Sequence, residues 1–171
     1  DTNLVGISNL FSFAYPAVEV LCKEIKKEYP EKKIVLGGPH PSALYDEILK
    51  NVPEVDYIAI GEGEESLLGL VNYLDRKLEL HELSGLATRD DSEKTIVLKS
   101  SKRIKNLNQD NIPFPARHLL PMENYIRAQE GHGPSSGRWT SILSSRGCPY
   151  GCTFCESRRT VWIARSPMDV V

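Results

Sequence analysis

Three cysteines fall within eight residues, Cys148, Cys152 and Cys155, on a segment turned and stiffened by Gly147, Pro149 and Gly151. Thiolates are the soft ligands that iron–sulfur clusters select, and three of them on one cluster leave one iron without a protein ligand, open to chemistry. A structural zinc site is the alternative, since three cysteines and one of the four histidines would complete a tetrahedron. Zinc knuckles usually pair their ligands. Here no further Cys-x2-Cys or His-x3-5-His follows, and His132 lies upstream in a Gly/Pro/Ser-rich stretch. A disulfide framework fits less well: four cysteines, three of them crowded together and with no signal peptide ahead of them, suit a reducing compartment.

The spacing Cys148-x3-Cys152-x2-Cys155, with Phe154 before the last cysteine, resembles the cluster loop of the radical S-adenosylmethionine (SAM) superfamily. The resemblance implies a 4Fe-4S cluster held by these three residues and S-adenosylmethionine on the free iron. It also implies reductive cleavage to a 5'-deoxyadenosyl radical, and Phe154 beside the adenine.

A loop of this kind needs elements to carry it, and the chain before it reads as α/β. Leu4 to Ser8 is a short apolar run, expected to be an inner parallel strand covered on both faces. Val18, Leu21, Cys22 and Ile25 recur at helical spacing between Ala14 and Tyr29. Cys22, alone on that apolar stripe, is read as a small core residue. Lys33 to Leu36 is a second strand closed by the Gly37-Gly38-Pro39 turn. Leu44, Ile48 and Leu49 mark a second helix, and Tyr57 to Ile60 a third strand running into Gly61-Glu62-Gly63-Glu64. A third helix opens at Glu64 and Glu65, where negative charge suits the dipole, and carries Leu67, Leu68, Val71 and Leu74. Alternation of this kind implies parallel strands in a Rossmann or flavodoxin-like sheet, with ligands at the carboxyl ends of the strands.

Those ends carry a second resemblance. Ser8-x-Leu10 is followed after twenty-six residues by Gly37-Gly38, a spacing similar to that of cobalamin-binding domains, although the Asp-x-His-x-x-Gly element that precedes it in their pattern is not in this sequence. The likeness implies that Ser8 and Leu10 line a slot for the nucleotide tail of cobalamin and that Gly37 and Gly38 leave room for it. Gly37 to His40 and Gly61 to Glu64 also resemble the cobalamin-dependent branch of the radical family. That implies cofactor contacts at Gly61, Glu62 and Gly63. His40 receives no role, and an axial ligand to cobalt is not inferred.

Beyond Asp75 the period changes to two, with Gly85 to Arg89 and Thr95 to Lys99 forming a β-hairpin around Asp90-Asp91-Ser92-Glu93-Lys94, expected on the edge of the parallel sheet. Lys99, Lys102, Arg103 and Lys105 read as a solvated basic flank. Asn106 to Pro121, punctuated by Pro113, Pro115 and Pro121, reads as an extended linker, and Gly131 to Gly137 as flexible. Thr140 to Ser144 is expected to be the first strand of a radical SAM α/β barrel, feeding the thiol loop at its carboxyl end, and Arg158 to Val171 to run toward its first helix. The organisation expected is a cobalamin-binding-like domain over 1–105, truncated at its start, a linker over 106–139, and the opening of a radical SAM domain over 140–171.

With 171 residues, 40% hydrophobic content and a net charge of −2, the chain has material for one ordinary core and no broad basic footprint for nucleic acid. No apolar run approaches the roughly 18 residues of a membrane span, and a cytoplasmic location is expected. Both ends read as cut, with the thiol loop only sixteen residues from the last one. The expectation is therefore a fragment of a cobalamin-dependent radical SAM enzyme, inactive alone. It is similar to radical methyltransferases and to anaerobic magnesium-protoporphyrin ester cyclases, acts on a small-molecule substrate and takes electrons from a donor. Two alternatives are a methylthiotransferase, whose leading domain uses cysteines for a second cluster, and a flavodoxin-like binding module with a zinc knuckle. Cys22 as the single cysteine before the loop argues against the first.

Overall fold

A computed structural model describes residues 2–99, 113–128, 138, 140–155 and 161–169. Two compact units divide the chain, Asp1–Arg103 and Ile104–Val171. In the first, strands β1 (Leu4–Ser8), β2 (Lys33–Gly37) and β3 (Tyr57–Ala59) alternate with helices α1 (Tyr15–Glu28), α2 (Pro39–Asn51) and α3 (Glu64–Leu74). β1, β2 and β3 are parallel; β4 (Leu86–Arg89) and β5 (Thr95–Leu98) add antiparallel at the β3 edge, giving the order β1-β2-β3-β4-β5. The hairpin therefore extends the sheet as its alternation predicts. Its turn is held by the Asp90 carboxylate, which accepts from the Ser92 and Lys94 amides at 2.8 and 3.0 Å.

Because successive side chains of a strand point to opposite faces, β2 divides its apolar run between two cores. Ile34 and Leu36 join Cys22, Ile48, Leu49 and Ile58 beneath α1 and α2. Val35 joins Tyr57, Ala59, Leu70, Leu83 and Leu86 on the α3 side. Cys22 is fully buried, as its place on the stripe predicts. On α3 the buried anchor is Leu70, while Leu67, Leu68 and Val71 face outward.

Asp56 locks the amino ends of β2 and β3. Its carboxylate accepts from Lys33 Nζ and the Ile34 amide, each at 2.9 Å, and pairs with Lys26 Nζ at 2.9 Å; its own carbonyl accepts from Thr88 Oγ1 at 2.9 Å.

Two strand expectations are corrected. Among the described residues β1 pairs only with β2, so it is an edge strand, with Val5 and Ile7 packed on one core but Gly6 and Ser8 exposed. An apolar run records the buried face and not which edges are paired. In the second unit, Thr140–Ser144 forms no strand. The ladder begins later, where β6 (Ser145–Arg146) pairs antiparallel with β7 (Ile163–Ala164), and the Arg165 amide donates to Ser144 O at 2.8 Å. The carbonyl of Ser141 is instead taken by Arg117 Nη2 at 2.5 Å.

Within the stretch read as linker, Arg117–Leu119 is a 3-10 turn and α4 (Met122–Arg127) a short helix entered from Pro121. Proline is tolerated at a helix start, and six residues are too few to show a period. Between Arg158 and Val171 the described part holds β7 and a 3-10 turn at Pro167–Asp169 rather than an α-helix. Lys102, Arg103, Lys105, the linker through Ile112, Gly131 to Gly137 and Arg158 lie outside the described residues.

Candidate functional site

The carboxyl ends of the parallel strands form the first candidate site. Ser8 and Gly37 are register partners at the ends of β1 and β2, and the next residue, Asn9, donates its amide to Gly37 O at 2.8 Å. By alternation Gly6, Ser8 and Gly37 share the face on which Ala59 packs. A Cβ on Gly37 would meet only the Ala59 Cβ, at 4.0 Å, and one on Gly6 only a Val35 methyl at 3.9 Å. Three strands thus end in a floor of small residues. Leu10 stands beside it 60% exposed, followed by Phe11 and Phe13, stacked with ring centroids 5.5 Å apart.

Gly38 has a different task. Its φ of +106° lies where glycine alone is comfortable, and a Cβ there would sit 2.5 Å from the Asn9 carbonyl oxygen. Its bareness is what lets the β2 turn close on the backbone after β1. At the end of β3, Ser42 of α2 bridges the turn: its hydroxyl accepts from the Gly61 amide at 3.0 Å and donates to Ala59 O at 3.3 Å. Gly61 is exposed, and Glu62 and Gly63 are half-buried at the entry to α3. His40 packs against the segment after β1. Its Nδ1 is 2.9 Å from Ser12 Oγ and its ring lies 4.6 Å from that of Tyr15, so it ties the turn after β2 to the segment after β1.

Asn9 is 2% exposed and its Oδ1 has no hydrogen-bond partner among the described residues; Ser66 Oγ, at the start of α3, is likewise buried and without a partner among them. Buried polar atoms are nearly always satisfied, so the orphaned amide oxygen of the residue that follows β1 leaves a hydrogen bond for a polar ligand to make. The small residues at the strand ends leave open space that fits the nucleotide tail of a cobalamin. The sequence reading named Ser8, Leu10, Gly37 and Gly38 but passed over Gly6, Asn9, Ser42 and Ala59. Asn9 sits inside the Ser8-x-Leu10 motif, and the others follow only once the faces of the sheet are known.

The second candidate site is the thiol loop. Cys148 and Cys155 are half-buried, Cys152 is exposed, and all three are free thiols. The Cys155 amide donates to Cys152 O at 3.1 Å, closing the turn between them, and Phe154 is 92% exposed. Among the described residues no group of three His, Cys, Asp or Glu is gathered for a single metal ion. The donor set, three thiols carried on one loop, fits a cluster that offers each cysteine its own iron. Cys22 is no part of it: burial, and secondarily Glu54 and Glu19, push its thiol up to about 11.

Residues 1–71 match the B12 binding domain model. The chain is 33% identical over 158 residues to the uncharacterized methyltransferase PH0819 of Pyrococcus horikoshii, covering 92% of this chain and 32% of that protein. It is 30% identical over 158 residues to the anaerobic magnesium-protoporphyrin IX monomethyl ester cyclase of Rubrivivax gelatinosus, covering 90% of this chain and 27% of that one. Among solved structures, the cobalamin-dependent S-adenosylmethionine radical enzyme OxsB, with aqua-cobalamin and S-adenosylmethionine bound, shares its fold. The TM-score is 0.68 at 23% identity, over 96% of this chain and 21% of OxsB. Residues 1–71 are thus the part that matches the B12-binding domain, and the chain as a whole is similar to proteins named as methyltransferases and magnesium-protoporphyrin ester cyclases. It spans about a third of the length of the curated relatives it matches.

Proposed function

We propose that this chain is the cobalamin-binding unit and cluster loop of a radical S-adenosylmethionine enzyme that transfers a methyl group to, or oxidatively cyclises, a small molecule. The observation that carries the reading is the occurrence in one chain of a small-residue floor at three parallel strand ends, followed by a loop of three free thiols. Residues 1–105 form the cobalamin part, 106–139 the connection and 140–171 the opening of the radical domain. An electron donor and a reducing, cytoplasmic setting go with the reading. Among the described residues no helix is long and apolar enough to cross a membrane.

When bound, a reduced cluster with S-adenosylmethionine supplies a carbon radical, and cobalamin a methyl group or an electron. The chain's own residues bind and orient. Gly6, Ser8, Gly37 and Ala59 make the floor beneath the nucleotide tail, with Leu10 at its lip and Asn9 Oδ1 offering a hydrogen-bond acceptor. Gly38 keeps the turn closed, and Gly61, Glu62 and Gly63 border the slot from the end of β3. Cys148, Cys152 and Cys155 would hold the cluster, and the exposed Phe154 beside them would be available to S-adenosylmethionine. The test is 5'-deoxyadenosine formation by a protein carrying this chain and a complete radical domain, reduced anaerobically. Cys148→Ala should abolish it; undiminished product in that variant would refute the ligand assignment.

A further inference from the structure

The two glycines that flank the first cysteine differ in what surrounds them. Gly151 has nothing among the described residues within 4 Å of where its Cβ would stand. Gly147 has a φ of +77°, and its Cβ would lie 2.2 Å from the Val161 carbonyl oxygen, 2.7 Å from that carbonyl carbon and 3.1 Å from Trp162 Cα. Every one of these atoms is backbone, so no side chain can swing aside. The contact falls next to the β6–β7 ladder, in which Arg146 pairs with Ile163. Gly147 is the first residue off one strand and Val161–Trp162 the last two before the other, so the chain leaves and re-enters this ladder at a single backbone crossing.

We propose that Gly147 is the positioning residue of the thiol loop: its bare α-carbon against the Val161 carbonyl sets the direction in which Cys148 departs from the ladder. This rests on the cluster reading above. Cys148 is the next residue in the chain and reaches its iron through one rotatable side chain, so a backbone displaced at Gly147 moves its sulfur directly. Cys152 and Cys155, beyond Pro149 and Gly151, are coupled less tightly to the crossing.

The experiment is anaerobic reconstitution of the chain with iron and sulfide, read as iron and sulfide per chain and as the electron paramagnetic resonance (EPR) spectrum after reduction. Unfolding midpoints are measured alongside. Wild type and Gly151→Ala should take up the same cluster. Gly147→Ala should lose about tenfold or more in apparent affinity, the scale seen when groups that orient metal ligands are removed. Gly147→Asn separates the two causes and serves if the alanine variant does not fold. Asparagine tolerates a positive φ, but its Cβ still meets Val161, so it too should lose the cluster. Wild-type iron content with an unchanged spectrum in either Gly147 variant would overturn the proposal. A wild-type chain that takes up no iron with sulfide would remove the cluster reading itself, and this inference with it.

Discussion

Ser8 and Gly37 face each other across the last rung of the β1–β2 ladder, and the Gly37 carbonyl also receives the Asn9 amide at 2.8 Å. The end of the slot is thus built by backbone pairing, and its width is set by what the two residues lack in side chain. Gly37 adopts no positive φ and has room beyond it, whereas Gly38 has neither freedom. Gly37→Val should fold normally and weaken cobalamin binding by about tenfold or more, since overpacking a close-fitted space costs about 1–3 kcal/mol. Gly38→Val should instead lower the unfolding midpoint, because both its torsion and its contact with Asn9 are violated. Equilibrium titration with cobalamin beside thermal unfolding separates the two. Unchanged affinity in Gly37→Val would place the slot elsewhere.

Much of this architecture can be read from residue order, and the gaps have physical causes. Apolar runs at Leu4–Ser8 and Lys33–Gly37, helical spacing through Cys22 and turn residues at Asp90–Lys94 each report a local preference, and each element formed. Gly6 and Ala59 carry no local signal as candidate slot residues, because the face of β1 and β2 left uncovered depends on where α3 packs. The β6–β7 ladder pairs residues eighteen or so apart in two rungs, too short for any alternation to announce.

Cys22 should be chemically silent while the chain is folded. It is fully buried, and its thiol is pushed up to about 11, first by burial, so at neutral pH it carries almost no thiolate, the nucleophilic form. Alkylation of the metal-free native chain, followed by mass spectrometry, should modify Cys148, Cys152 and Cys155 and reach Cys22 only in denaturant. Native labelling of Cys22 at a rate like that of Cys152 would contradict its place in the core.

Asp56 should make the first unit acid-sensitive. Burial raises the pKa of its carboxyl, but hydrogen bonds from Lys33, Lys26 and the Ile34 amide outweigh this and leave it below the usual value. A lowered folded pKa gives stability that is present above the unfolded value of about 3.9 and is lost as pH falls through the folded one. Asp56→Asn should cost about 2 kcal/mol or more at pH 7, and its urea midpoint should fall less than wild type's on acidification to pH 3. Parallel curves for the two proteins would show that Asp56 contributes nothing to the acid response.

Arg89 should stabilise the end of α2. Its guanidinium donates to the carbonyls of Leu49, Pro53 and Val55 at 2.7, 2.9 and 2.6 Å, binding the helix C-terminus to β4. Arg89→Ala strips three carbonyls of a charged donor and should lower stability by about 2–3 kcal/mol, measured by urea denaturation, with cobalamin affinity unchanged. A loss under about 0.5 kcal/mol, ordinary for a surface change, would mean that water replaces these bonds.

A cluster with an open iron on the loop from Cys148 to Cys155 should show itself in EPR of the anaerobically reconstituted, reduced chain. The expected signal is that of a one-electron-reduced 4Fe-4S cluster, altered on addition of S-adenosylmethionine and absent in Cys148→Ala. A chain that binds colourless zinc through the same cysteines and gives no such signal would contradict it.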